Sequence, residues 1–408
     1  MVSAVIMMDQ SFSRTTSQPL CTAKVLFLDQ SGQPGGAELC LLDIAKVWPD
    51  RCLVGLLSDG TFRNLLEQAH IPVQVLTDQV ISVQKASGLL QALSSLQTLI
   101  APILRVARLS REFDLIYANT QKALVVGAIA SVLSRRPLIY HLHDIISSDH
   151  FSAFNQRIII TLANAVAKLV IANSHATKTA FEQAGGQAPV HVVYNGFDVS
   201  QFSPELRQTR EPLRQSLGLE SCFVVGHFSR LAPWKGQYVL IEALQYCPSN
   251  VVALLVGDAL FGEQEYVQQL HQQVAQLGLG DRVKFLGFRT DISQLMAACD
   301  LVAHTSTAPE PFGRVIVEAM LTGTPVVAAE AGGVIEWVKN GQTGWLVPPG
   351  DPLPVAEVIK FCSHMPEAAN TIAEEAQRHA SQHFDLQVTN RQIAQLLSQV
   401  RELSQENS

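Results

Sequence analysis

The chain has 408 residues, enough for two domains that each bury a core of their own. Apolar residues make up 47% and charged residues 16%, which excludes a disordered chain, and a net charge of -7 excludes a general nucleic-acid binder. The seven cysteines, Cys21, Cys40, Cys52, Cys222, Cys247, Cys299 and Cys362, are scattered and form no CxxC, so we expect reduced thiols and neither a disulfide framework nor a zinc cluster.

Residues 1–23 lack the basic start and apolar stretch of a secretory signal and read as a loose tail. No run of about 18 apolar residues occurs, so no membrane span is expected, and the cysteine pattern reads as that of a cytoplasmic protein. From Lys24 onward, short apolar runs alternate with helical patterns, which predicts parallel sheets covered by helices. In the first half the strands fall at 24–29, 52–57, 73–76, 114–118, 138–142, 168–172 and 190–194. They are rich in Val, Ile and Leu without alternation, as strands buried on both faces are. The turn 32–38 (GQPGGAE) links the first strand to an amphipathic helix near 37–47. It is not GxGxxG, so a nicotinamide fingerprint is not met, and a plain strand–helix connection explains it as well as a ligand loop does.

Residues 89–109 place Leu89, Leu93, Leu96, Ile100, Ile103 and Ala107 at helical spacing, with Arg105, Arg108 and Arg111 near the end. We read a core-facing helix. The alternative is an interfacial helix on anionic lipid, which would make the chain peripheral on the inner face of a membrane. His141-Leu-His143-Asp144 closes strand 138–142, which directs His143 and Asp144 to the carboxyl end of the sheet. His143 reads either as a structural histidine or as a site group; an i, i+2 pair is also half a metal site, but no third ligand is evident. Asn173-Ser174 and Asn195-Gly196-Phe197-Asp198 follow two strands and are ordinary turn chemistry.

Residues 201–217 are polar with two prolines and read as the linker between a domain over 24–200 and one over 218–385. The second half adds strands at 223–228, 251–256, 283–286, 300–304, 325–329 and 345–347, and 386–408 reads as a terminal helix that can pack back on the first domain. Two doubly wound sheets leave a cleft between the carboxyl ends of their strands, where such sheets bind ligands. At one strand end, 228–236 (FSRLAPWKG) carries Arg230 and Lys235, either two solvated cations or a pair converging on a diphosphate. At another, 310–318 (EPFGRVIVE) carries Glu310 in a strand-to-helix loop and Glu318 about two turns into the helix. The amides of Phe312, Gly313 and Arg314 open that helix and suit an anion or sugar oxygens. The plainer reading is an acidic residue favoured at a helix start and a solvated Glu318.

The two glutamates resemble the E-x7-E motif of retaining glycosyltransferases of family 4, of the "glycosyl transferases group 1" type, and the segment 300–351 extends the resemblance. Arg230-x4-Lys235-Gly236 resembles the family's diphosphate-binding R-x4-K-G, and Gly35-Gly36-Ala37-Glu38 its G-G-A-E loop near phosphate and acceptor. The resemblance covers about 24–400 and is strongest over 223–351; the amino half matches in scattered motifs, which leaves the acceptor open. It implies the GT-B fold, two Rossmann-like doubly wound parallel-sheet domains facing a central cleft. It implies that Glu310 contacts the donor sugar, Glu318 the nucleotide ribose, and that His143 lies near the reacting sugar. The implied catalytic set is Glu310, His143, Lys235 and Arg230. The implied donor-binding set is Gly35, Gly36, Arg230, Lys235, Glu310, Phe312, Gly313, Arg314 and Glu318. The expected activity is a retaining, metal-independent hexosyltransferase acting from a nucleotide sugar on a saccharide, lipid-linked or small-molecule acceptor, in polysaccharide or glycolipid biosynthesis. No cofactor or metal is expected, because two cations supplied by the chain stabilise a departing diphosphate by roughly 3 kcal/mol each and no Asp-x-Asp is present. The rivals are a nucleotide-sugar epimerase on the same fold and a noncatalytic nucleotide-sugar-binding protein.

Overall fold

A computed structural model describes residues 22–77, 89–202, 204–259 and 262–406. Most of the expected tail, residues 1–21, lies outside them. In chain order the first half contains β1 (Val25–Asp29), α1 (Gly36–Ala45), β2 (Cys52–Leu56), α2 (Thr61–Gln68), β3 (Val73–Val75) and α3 (Leu89–Leu109). It continues with β4 (Leu115–Ala118), α4 (Gln121–Ser134), β5 (Leu138–Leu142), α5 (Ala153–Val166), β6 (Ala167–Ala172), α6 (His175–Gln183) and β7 (Val190–Val192). Among the described residues these strands form a seven-stranded parallel sheet in the order β3-β2-β1-β4-β5-β6-β7.

The second half contains α7 (Arg210–Leu217), β8 (Phe223–Phe228), α8 (Gln237–Ala243), β9 (Val251–Val256), α9 (Gln264–Gln276), β10 (Val283–Gly287) and α10 (Ile292–Ala298). It closes with β11 (Leu301–His304), α11 (Arg314–Leu321), β12 (Val326–Ala329), β13 (Trp345–Val347), α12 (Pro352–His364), α13 (Pro366–His383) and α14 (Leu386–Glu406). Its sheet is six-stranded and parallel, in the order β10-β9-β8-β11-β12-β13. The two-sheet architecture is the one expected.

Each central strand feeds two cores. In β1, Val25 and Phe27 face one cluster with Leu41 and Ile44 of α1, while Leu26 and Leu28 face another with Val106 of α3 and Leu124 of α4. β8 does the same with Val225 against Leu240 and Val224 against Ile316. Two-sided burial is why these strands read as unbroken apolar runs. Full burial of each such side chain contributes about 1.5–3 kcal/mol.

The chain passes between the domains twice. Phe197 donates to Phe384 O at 2.8 Å and Leu386 donates to Phe197 O at 3.0 Å, so the outward and return strands lie side by side. α14 then inserts Ile393, Leu397 and Val400 into the core of the first domain. The expected linker over 201–217 is not plain coil: a 3-10 turn spans Pro204–Thr209, and α7 follows it and holds to the second domain. In α3, Ile103, Val106 and Ala107 are buried while Ile100 and Leu104 are exposed; the side chains of 89–98 lie outside the described residues. No helix among the described residues is long and apolar enough to cross a membrane.

Asp300, just before β11, accepts from Arg210, from Arg214 Nη1 at 3.1 Å and from the Val224 amide at 2.6 Å. Arg214 is 5% exposed and also serves the carbonyls of Ala298, Leu219 and Cys222. Removing one partner strands buried charge. We predict that Asp300→Ala lowers the unfolding free energy of the second domain by about 3 kcal/mol in urea titrations; an unchanged midpoint would refute this.

Candidate active site

The loop after β8 is built around Lys235. His227, buried in β8, donates from Nε2 to Lys235 O at 3.2 Å and lies 3.1 Å from Thr305 Oγ1. Burial, reinforced by the neighbouring His304, pushes the His227 imidazole down to about 3, so it serves as a neutral strut. Gln237 Nε2 donates to Ser229 Oγ at 2.8 Å and to Arg230 O at 2.9 Å, and Tyr266 OH donates to Gln237 Oε1. Gly236 has φ 69° and a Cβ there would stand 1.9 Å from Thr305 O, so glycine alone lets this loop lie against the next. The Lys235 ammonium is thereby held 4.0 Å over the Trp234 ring and donates to Glu310 Oε2 at 2.7 Å. Arg230, five residues earlier, places Nε 3.3 Å from Glu263 Oε2.

Glu310 sits in the loop between β11 and α11. The same Oε2 takes Lys235 Nζ, His304 Nε2 at 3.1 Å and Ser306 Oγ at 3.2 Å. Burial pushes this carboxyl up, but the Lys235 charge and then His304 outweigh it and hold the group well below the usual carboxylate range. Gly313 (φ 83°) caps α11 in the left-handed region, and a Cβ there would stand 3.6 Å from Glu310 Cγ. Glu318 lies one turn beyond Arg314, its Oε1 3.6 Å from Arg314 Nε. Burial raises the Glu318 carboxyl and Arg314 opposes that shift.

Two residues of this segment have their side chains committed elsewhere. The Phe312 ring is 2% exposed and packs 4.5 Å from Trp337 in a cluster with Tyr194, Phe197 and Phe384, leaving its backbone alone to meet a ligand. The Arg314 guanidinium bridges the domains, 3.4 Å from Asp43 Oδ2 of α1 and 4.6 Å from the Phe197 ring.

The first domain faces this cluster with the ends of β1, β4 and β5. Asn119 Nδ2 donates to Asp29 Oδ2 at 2.7 Å and to Ala37 O at 3.0 Å, which fixes its amide orientation. Its Oδ1 therefore accepts from His143 Nε2 at 2.9 Å, and His143 keeps a lone pair on Nδ1. Burial, with the Arg314 charge, pushes His143 down to about 3. Asp144 accepts from Gln121 and is raised to about 6 by burial. Glu310 raises it further and His150 and Arg230 lower it, so Asp144 lies within electrostatic reach of both loops of the opposite domain. In the glycine-rich turn, the Gly35 amide donates to Glu38 Oε2 at 3.0 Å, and a Cβ on Gly36 would meet Arg314 Cδ at 3.6 Å.

Direct bonds close the two halves. His150 Nε2 donates to Pro309 O at 3.1 Å and Ser174 Oγ to Pro311 O at 2.6 Å. Glu336 of the second domain caps α6 of the first through the amides of His175 (3.0 Å) and Ala176 (2.8 Å), and accepts from Tyr194 OH at 2.9 Å. Thus Lys235, Glu310 and Gly313 come together, Asp144 of the other domain lies within electrostatic reach of Glu310 and Arg230, His143 within that of Arg314, and Gly36 lies beside Arg314. The arrangement offers cations and a helix start to an anion, and a neutral imidazole lone pair to a hydroxyl. Sequence reasoning missed His304, Ser306, His227, Asn119 and Glu336; the polar run His304-Thr305-Ser306 at a strand end was the available signal for the first two. A hollow of about 500 Å³ lined by His175, His191, Tyr194 and Thr389 shares no residue with this cluster.

Residues 209–379 match the family described as glycosyl transferases group 1, and residues 34–201 match glycosyltransferase family 4. The crystal structure of HepE from Anabaena in complex with UDP-glucose is similar, with 59% identity and a TM-score of 0.86 over 92% of this chain and 100% of that one. HepE has also been solved with UDP and glucose, at a TM-score of 0.85 and the same identity. D-inositol 3-phosphate glycosyltransferase of Corynebacterium urealyticum is 31% identical over 240 residues, 56% of this chain and 56% of that protein. The chain spans about half the length of the curated relatives it matches.

The Asp29–Asn119–His143 chain predicts one tautomer. In a ¹⁵N NMR titration His143 should stay neutral with its proton on Nε2 between about pH 8 and pH 5; a His143 resonance titrating near the ordinary 6.5 would contradict the burial argument.

Proposed function

From the premise that this chain belongs to the family 4, group 1 glycosyltransferases, we propose that it transfers glucose from UDP-glucose to an acceptor hydroxyl, with retention and without a metal ion. The observation that carries the reading is the Lys235–Glu310 contact of 2.7 Å beside the Gly313 cap, with Asp144 of the other domain within electrostatic reach of Glu310. The UDP-glucose complex of the 59% identical HepE supports the donor.

In this account the diphosphate lies between Arg230, Lys235 and the amides that open α11. Negative charge grows on the bridging oxygen as the glucosyl bond breaks, and fixed cations stabilise it without reorganising; losing one is worth roughly 10²–10³ in turnover. The metal ion that other transferases aim at this oxygen then has no task left. Glu318 accepts from the ribose hydroxyls. Glu310 stays ionised beside the sugar and also keeps Lys235 in place before the donor arrives. The glucosyl group passes through an oxocarbenium-like state. The acceptor hydroxyl enters on the face the diphosphate leaves, and its proton passes to the departing phosphate oxygen, so no protein nucleophile is required. His143, neutral with a free Nδ1, orients hydroxyls of the sugar or acceptor. The acceptor is a saccharide, a lipid-linked sugar or a small molecule held on the first domain.

A thermal-shift comparison of UDP-glucose with GDP- and ADP-sugars tests the donor. UDP-glucose at 100 times its Kd should stabilise the fold by about 2.7 kcal/mol, with or without EDTA. Stabilisation by another base, or its loss in EDTA, would overturn the assignment. Within the site, Glu318→Gln should raise the KM for donor about tenfold with kcat little changed, while Lys235→Ala should lower kcat by roughly 10²-fold. Equal effects of both on KM alone would contradict the division of roles.

A further inference from the structure

Cys40 packs in the core of the first domain and has no part in the transfer reaction. Cys40 lies one turn into α1, directly after the glycine-rich loop, and its ligand atom falls within 4.8 Å of those of His141 and His143. We propose that Cys40 Sγ, His141 Nε2 and His143 Nδ1 form a binding site for a thiophilic dication of the zinc class, and that the bound ion blocks the acceptor side of the cleft.

Each ligand atom is singled out by the bonds its residue already makes. His141 Nδ1 shares a hydrogen bond of 2.7 Å with Tyr117 OH, so Nε2 remains, and that atom is buried without a hydrogen-bond partner. With Nδ1–H donating to Tyr117, Nε2 presents its lone pair. His143 Nε2 is engaged by Asn119, which Asp29 orients in turn, so Nδ1 remains. A second ring nitrogen held by a carboxylate or amide is the usual support of a metal-bound imidazole. The two rings lie 3.9 Å apart at 42°, close enough to serve one ion. Cys40 Sγ donates to Asn195 Oδ1 at 3.2 Å and would release its proton to solvent on binding. Tetrahedral bonds of about 2.0–2.3 Å put ligand atoms about 3.3–3.7 Å apart, so closure takes side-chain shifts of about 1 Å.

Local charge and access also fit. Arg314 is the cation that acts on both Cys40 and His143 among the described residues, and it pairs with Asp43 and Glu318. On the same domain, Glu38 interacts with both Asp29 and Asp144. Cys40 and His141 are buried while His143 is only partly buried, so an ion would enter past His143. Two imidazoles and a thiolate select zinc-like ions over magnesium or calcium. The blocking half of the proposal rests on the role given to His143 above; binding itself does not.

The test is a Co²⁺ titration of the full chain. One equivalent should produce a sulfur-to-cobalt charge-transfer band that Cys40→Ser abolishes, and X-ray absorption of the wild-type zinc form should show one sulfur and two imidazole ligands. No band, a band kept by Cys40→Ser, or a ligand set without sulfur would overturn the site; the wild-type absorption measurement decides even if the variant fails to fold. Zn²⁺ should inhibit donor turnover at least tenfold, reversibly by chelator, and Cys40→Ser should resist it. A bound ion that leaves turnover unchanged would keep the site and remove His143 from the transfer reaction.

Discussion

The contact between Lys235 and Glu310 is the joint on which the rest of the site depends. It connects the loop after β8 to the loop after β11, and most of the surrounding hydrogen bonds serve one partner or the other. His227 and the Gly236–Thr305 approach fix the lysine; His304, Ser306 and the Gly333 amide bond to Glu310 O fix the carboxylate. A buried ion pair adds little net stability against an apolar substitute, yet removing one partner costs about 3–5 kcal/mol. Such a pair is retained for where it places charge. Here it places an ammonium beside a helix start at the edge of the domain.

The two domains are joined at their strand ends by bonds that are few and local. Glu336 caps a helix of the other domain, Ser174 and His150 take carbonyls of the Glu310 loop, and Arg314 reaches Asp43. The aromatic cluster of Tyr194, Phe197, Phe312, Trp337 and Phe384 packs the two chain crossings against the start of α11. The backbone that is proposed to meet the diphosphate therefore shares its packing with the interdomain crossing. Domain closure over a substrate is the usual use of such a joint.

The sheets were legible because parallel strands buried on both faces spell unbroken Val, Ile and Leu runs, and every expected strand has its counterpart within two residues. Lys235 and Glu310 stand in loops that follow β8 and β11, where the sequence directed attention, whereas Glu318 lies inside α11 and was singled out by its resemblance to a motif. Phe312 and Arg314 illustrate the limit. Both lie inside the most recognisable motif, but the phenyl ring packs into the crossing and the guanidinium reaches into the other domain, and neither fact is encoded by local spacing. Asn119 and Glu336 act through long-range partners in the same way. The group that lies beside His141 and His143 is Cys40, about a hundred residues away and in a different βα unit, so only the order of the strands in the sheet brings it there.

Lys235 and Arg230 are proposed to meet the terminal phosphate of the leaving nucleotide. Calorimetric dissociation constants for UDP and UMP isolate it, since the two ligands differ by that phosphate alone. Lys235→Ala should weaken UDP by roughly tenfold or more and leave UMP unchanged. An equal loss for both nucleotides, or none for UDP, would contradict it.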